Sequence, residues 1–141
     1  MKNAHQYQDW LAGLDVFSGC NRRELSLIGS LTTLVSVDAG DVIVREGSFA
    51  REAFIVVDGV MEVSVHDLGA EPVAVVCDGQ PVGEMALLHR TQRNATVAAM
   101  RRSQLLVSTP TEFHSMMRQV PSFAASVESL AERRLLENLA A

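Results

Sequence analysis

Apolar runs long enough to cross a membrane are missing from this 141-residue chain. A membrane helix needs roughly 20 predominantly apolar residues, and the longest strand-like run here is Val73-Ala74-Val75-Val76-Cys77. The start, Met1-Lys2-Asn3-Ala4-His5-Gln6, has no apolar core of a signal peptide behind it, so the expected location is the cytoplasm, with no membrane partner. Cysteine is scarce. Cys20 and Cys77 stand far apart in no metal-ligand spacing, and in a reducing compartment they read as small buried apolar residues rather than a disulfide. Basic charge is also in deficit, with 12 Lys+Arg against 17 Asp+Glu for a net charge of -5. That balance disfavours the broad basic surface that holds nucleic acid. The histidines, His5, His66, His89 and His114, form no close pair, whereas a metal-dependent enzyme built on a β-roll needs several imidazoles converging on one ion. Ser18, Cys20 and Cys77 have no recognisable activating partner for nucleophilic catalysis. The expectation is a protein that is not an enzyme and that carries neither a metal nor a cofactor.

What is present is 48% hydrophobic residues with only 5% aromatic, enough to close the core of one domain spanning residues 1–141. The hydrophobic period divides it into helices over about 3–30, strands over about 34–108 and helices over about 110–139. Tyr7, Trp10, Leu11 and Leu14 fall at helical spacing from Asn3 to about Gly13. Asn21 with Glu24 three residues on forms a capping box for a second helix, which Gly29 would stop. From Leu34 the pattern becomes short β-branched runs: Leu34–Val37, Asp41–Val44, Ala53–Val57, Met61–Val65, Val73–Val76, Ala95–Ala99 and Leu105–Ser108. Turn signals separate them, at Ala39-Gly40-Asp41, Glu46-Gly47-Ser48, Asp58-Gly59, Leu68-Gly69 and Asp78-Gly79. Asp58-Gly59 predicts a two-residue hairpin. Many short strands without long crossovers predict a mainly β fold with flanking helices, a β-roll or jelly-roll-like barrel. After Pro110 the period is helical again. Thr109 or Thr111 can cap a helix containing Phe113, Met116, Met117 and Val120, and Pro121 opens another. In that last helix Phe123, Val127, Leu130, Ala131 and Leu135 share a face. Arg134 and Asn138 interrupt the face and read as long polar side chains snorkelling at a frayed end, with a ligand contact as the alternative.

The strand pattern breaks once, at Gln80-Pro81-Val82-Gly83-Glu84-Met85-Ala86-Leu87-Leu88-His89-Arg90-Thr91-Gln92-Arg93-Asn94. Met85 to Leu88 are strong helix formers, so a short helix starting near Gly83 is predicted. Its first amides would be left unpaired by the helix and would favour an anion. Glu84 lies in the first turn, where it would repel that anion unless it bonds a hydroxyl on the same ligand. Arg93 could return from the far end of the loop to neutralise the anion through paired hydrogen bonds. A ligand carrying both a phosphate and a ribose hydroxyl would explain both charges. Two simpler alternatives stay open at this point: Glu84 caps its helix and Arg93 is a solvated loop residue, or the two pair with each other.

Val82-Gly83-Glu84-Met85-Ala86-Leu87-Leu88, followed by Arg93-Asn94-Ala95-Thr96-Val97, resembles the phosphate-binding cassette of cyclic nucleotide-binding domains. The resemblance extends to Ala39-Gly40-Asp41-Val42-Ile43-Val44-Arg45-Glu46-Gly47, to Phe54-Ile55-Val56-Val57-Asp58-Gly59-Val60-Met61-Glu62-Val63, and to Phe113 followed by Pro121. It implies that the short helix binds phosphate and that the ligand is cAMP or cGMP. Glu84 would accept the ribose 2′-hydroxyl and Arg93 would hold the phosphate. The amides of Ala86 and Asn94 would reach the other phosphate oxygens, Met85 would lie in the same cassette, and Gly83 would permit close approach. Val63 and Val76 are the expected apolar contacts of the base. This sequence departs from the family pattern at Val82 preceded by Pro81, at Gln92, and at Asn94, where a small apolar residue goes with adenine and threonine with guanine. The chain ends where the last sensor helix should end, leaving no room for a DNA-reading helix pair. The expected function is therefore a stand-alone sensor, cAMP being favoured over cGMP, that passes movement of its C-terminal helices to an effector protein. A homodimer through the terminal helices is a further expected partner. The alternative is a scaffold or interaction module that keeps the roll without responding to nucleotide.

Overall fold

The run Ala53-Phe54-Ile55-Val56-Val57 is apolar at every position, and this sets the layering of the molecule. Neighbouring strand residues point to opposite faces, so a run without alternation belongs in a strand buried on both. In the computed structural model, which describes residues 4–66 and 71–136, the run lies in β3 (Ala53–Asp58). Ala53, Ile55 and Val57 join an apolar cluster with helical residues, while Phe54 and Val56 belong to a second cluster between two sheets. The layers are therefore helices, first sheet, second sheet.

The first sheet has the order β1 (Thr33–Val37), β8 (Ser103–Ser108), β3, β6 (Pro81–Val82), and the second has β2 (Val42–Val44), β7 (Thr96–Ala99), β4 (Met61–Ser64), β5 (Ala74–Val76). Every pairing is antiparallel. In β4 the alternation is clean, with Met61 and Val63 buried and Glu62 and Ser64 half-buried. The helices α1 (Ala4–Ala12), α2 (Arg22–Ser30), α4 (Pro110–Gln119) and α5 (Pro121–Leu136), with a 3-10 turn at Asp15–Phe17, supply most of the first cluster. Capping boxes close the N-termini of α2, through Asn21 and Glu24, and of α4, through Thr109 and Glu112, each worth about 1 kcal/mol. The mainly β architecture with flanking helices is thus as the periodicity predicts.

Several expectations are corrected. Gly29 does not stop α2, which runs on to Ser30 and is closed by the Leu31 amide donating to Leu27 and Ile28. Pro81 and Val82, placed in the helical break, form a short edge strand on β3, a position where a proline costs no ladder bond. Cys20 is half-buried and Cys77 is exposed, so the expected burial fails for Cys77. The turn signal Leu68-Gly69 and Asn138 lie outside the described residues, as does the side chain of Leu135.

Asp58-Gly59 makes no hairpin, because β3 lies in the first sheet and β4 in the second. The chain crosses between the sheets here, and Gly59 is needed for the crossing. A Cβ at Gly59 would lie 2.2 Å from Ser103 Oγ, while the Gly59 amide donates to the Asp78 carboxylate at 2.8 Å. Gly59→Ala is expected to cost about 1–3 kcal/mol by overpacking, read as a lower urea midpoint. An unchanged midpoint would contradict this packing.

Candidate functional site

The break in the strand pattern is a helix. Gly83 takes φ 82° and serves as the N-cap of α3 (Glu84–His89), a left-handed conformation that costs glycine little. The helix links the two apolar clusters: Val82, just before it, is buried between the sheets, and Leu87 is buried in the helical cluster. It packs against β3 and α5.

Arg93 does return from the far end of the loop. It is only 4% exposed. Nη1 donates to the Gly83 carbonyl at 2.6 Å and Nη2 to the Glu52 carbonyl at 2.5 Å. Its backbone is held as well, since the Arg93 amide donates to the Ser48 carbonyl at 2.8 Å and its own carbonyl accepts from Gly47 at 2.7 Å. The guanidinium and Gly83 fit closely, because a Cβ on Gly83 would meet Nη1 at 2.7 Å. Burial lowers the Arg93 pKa from its ordinary value, and the carboxylates of Glu52 and Glu84 oppose that shift. The guanidinium remains charged, and two bonds leave part of its five-donor fork for another acceptor.

Glu84 is fully buried, and Arg134 of α5, at 7% exposure, reaches it. Arg134 Nη1 donates to Glu84 Oε1 at 2.5 Å, while Glu84 Oε2 has no hydrogen-bond partner among the described residues. Neither simple alternative for Arg93 holds, since it is not solvated and its Nη donors go to backbone carbonyls. Arg134 is not a snorkelling side chain but the ion-pair partner of Glu84. The signal was its place on the apolar stripe of α5, with Phe123, Val127 and Ala131.

Burial pushes the Glu84 carboxyl up from its ordinary 4.5, against the pull of Arg134. The folded protein therefore holds this proton more tightly than the unfolded chain. The resulting stability is complete below about pH 4.5 and fades as pH rises through the folded pKa. Relative to Glu84→Gln, wild type is expected to lose unfolding free energy on going from pH 4.5 toward neutrality, measured by urea titration at each pH. A relative gain over the same range would contradict the shift.

Ala86 is buried in α3, and Asn94 is exposed just after Arg93. Met85 is in α3, but its side chain lies outside the described residues. Val63 and Val76 are buried in the inter-sheet cluster that also holds Val82. Sequence reasoning missed the Glu52 and Ser48 carbonyls, since a backbone acceptor leaves no mark on residue type. Among the described residues no group of three His, Cys, Asp or Glu could hold a metal. None of the described helices is long and apolar enough to cross a membrane.

Residues 34–120, from β1 through α4, match the family model described as "Cyclic nucleotide-binding domain". The cAMP-dependent protein kinase regulatory subunit of Schizosaccharomyces pombe is 28% identical over 79% of this chain and 26% of its own length. A cGMP-dependent protein kinase of Toxoplasma gondii is 30% identical over 94% of this chain and 13% of its own. The chain thus spans less than a third of these curated relatives. Among solved structures, the catabolite activator protein of Thermus thermophilus matches with a TM-score of 0.76 at 26% identity, over 87% of this chain and 59% of that one. With both sheets, the cassette helix and α4 inside the matched span, the chain belongs to the cyclic nucleotide-binding domain family.

Proposed function

We propose that this chain is a sensor that binds a cyclic nucleotide, cAMP in preference to cGMP, and passes a movement of its C-terminal helices to an effector protein. One observation carries the proposal: two buried side chains of opposite charge, Arg93 with donors to spare and Glu84 with an unpartnered oxygen, flank one short helix. Burying either charge is costly unless something uses it. A cyclic nucleotide supplies a phosphate for Arg93 and a 2′-hydroxyl for Glu84 Oε2, with the amides of Ala86 and Asn94 near the phosphate. Val63 and Val76 would offer the base an apolar wall. Asn94 is neither the small apolar residue that goes with adenine nor the threonine that goes with guanine in the family, and its amide could also meet a guanine amino group, so the choice of base rests on titration with both nucleotides.

Coupling to output follows from packing. Leu87 shares its cluster with Phe113, Phe123 and Val127, so displacement of α3 presses on α4 and α5. The effector takes up that displacement, either as a separate protein or as a second copy docked through the terminal helices. Calorimetric titration with cAMP and cGMP tests the proposal. One-to-one saturable binding with tighter affinity for cAMP is expected. Absence of heat with both nucleotides at millimolar concentration would sink it and favour an interaction module that keeps only the roll.

A further inference from the structure

An edge strand presents a row of unpaired amides and carbonyls, which is a template for another strand unless something blunts it. Among the described residues the two sheets have four edges, β1 and β6 in the first and β2 and β5 in the second. Three of them are blunted. β6 is two residues long and begins with Pro81, β5 has three residues, and β2 has three with a shift of register between Val42 and Val44. β1 carries no such device. It pairs with β8 in unbroken register from Thr33 to Val37, and Leu31–Val37 runs for seven residues without charge, proline or glycine. Both of its faces offer apolar surface. Leu34, opposite Leu106 on the helical side, is 45% exposed, and Val35, opposite Leu105 on the inter-sheet side, is 37% exposed. The turn at Asp38–Asp41 leads directly into β2, where exposed Val42 continues the apolar strip.

We propose that β1 is a self-association edge: two copies pair β1 against β1, antiparallel about a two-fold axis at Val35, and fuse their first sheets into one. The occupant is a strand because the free groups of an edge form a backbone ladder, and three features of β1 select a second copy. Val35 meets its own counterpart and Leu34 meets Ser36, so each face of the strand continues across the axis. The acidic end of the strand is kept apart from itself, since Asp38 falls opposite Thr32 of the second copy. Six residues of strand then separate the two Asp38 positions, about 20 Å, well beyond the Debye length of about 8 Å; a parallel pairing would set them side by side. Finally, β8 already fills the other edge of β1, so one partner satisfies the strand and the assembly closes at two copies. The order across the fused sheet is β6-β3-β8-β1-β1-β8-β3-β6, which leaves each β6, and the cassette helix that follows it, at an outer end. This contact is separate from the terminal helices and does not depend on nucleotide.

Sedimentation velocity of the full chain, without nucleotide, tests the proposal. A single pair of short strands makes a small, weak interface, so monomer is expected at about 1 µM and a growing share of dimer toward about 500 µM. Val35→Lys sets a charge opposite itself on the axis and should weaken association about tenfold or more. Ser36→Lys adds a charge at an exposed polar position of the same strand and should have the same effect, which covers the case of a Val35 variant that fails to fold. Register is read by cysteine pairing under oxidised glutathione, in a Cys77→Ser background that removes the exposed native thiol. Val35→Cys is expected to give a covalent dimer, because directly opposed residues lie within disulfide range. Val75→Cys, on the β5 edge and 52% exposed, is expected to stay monomeric. Monomer at every concentration, association that both lysine variants leave unchanged, or equal cross-linking at the two cysteine positions would overturn the proposal.

Discussion

Arg93→Ala is expected to weaken cyclic nucleotide binding by at least about 100-fold, measured by calorimetric titration against the unmodified protein. A phosphate on this guanidinium would be held by charge-assisted hydrogen bonds worth about 1.5–3 kcal/mol each, and two of them exceed 100-fold. The surroundings offer no substitute. The chain carries a net charge of -5, and the nearest charges acting on Arg93 are the carboxylates of Glu52 and Glu84. The other buried guanidinium, Arg134, is already paired with Glu84, so without Arg93 a phosphate would lose its free donors. Arg93 also has a structural task, since it donates to the carbonyls of Gly83 and Glu52. Leaving these acceptors without a partner is expected to lower ligand-free stability by about 1–3 kcal/mol, and urea unfolding of the same samples separates that loss from the loss of binding. Arg93→Lys keeps the charge but not the fork, so it should recover part of the affinity. A near-normal affinity for Arg93→Ala would show that the phosphate lies elsewhere.

The second large effect is on stability. Phe123→Ala is expected to cost about 3–5 kcal/mol, and for a chain of this size to lower Tm by about 10 °C or more. Phe123 is 1% exposed. It stacks on Phe17 with ring centroids 5.6 Å apart and meets Phe113 edge-on at 6.2 Å. These contacts join the 3-10 turn, α4 and α5, so the cavity would open where three elements meet. Only 5% of the residues are aromatic, and three of them converge here, leaving few large side chains to collapse into the gap. The same cluster contains Leu87 of α3, so the variant should also loosen the link between cassette and terminal helices. A loss below about 1 kcal/mol, by urea or thermal unfolding, would contradict this arrangement.

Local chemistry made most of the fold legible. The helix, strand, helix order follows from changes of hydrophobic period near Leu34 and Pro110, and the capping box of Asn21 and Glu24 is spelled by residue type, whereas at α4 residue type leaves Thr109 and Thr111 both open as caps. β6 is not legible, because Pro81 and Val82 are too short to carry a period. The destination of the chain after β3 is not legible either. Asp58-Gly59 satisfies hairpin chemistry, and it is the distant Ser103, packed against Gly59, that marks a crossing instead. At the site, Glu84 and Arg93 are legible because the two charges frame the short helix-forming run Met85–Leu88. Arg134 breaks an apolar stripe, but an arginine near a helix end has an inexpensive solvated alternative. Only the placement of α5 beside α3 shows that it turns inward.

The most direct test of the central claim is a crystal structure of the protein grown with saturating cAMP. The account predicts the phosphate within hydrogen-bond distance of the Arg93 guanidinium and the ribose 2′-hydroxyl on Glu84. An empty cassette, or nucleotide bound away from Arg93, would contradict it.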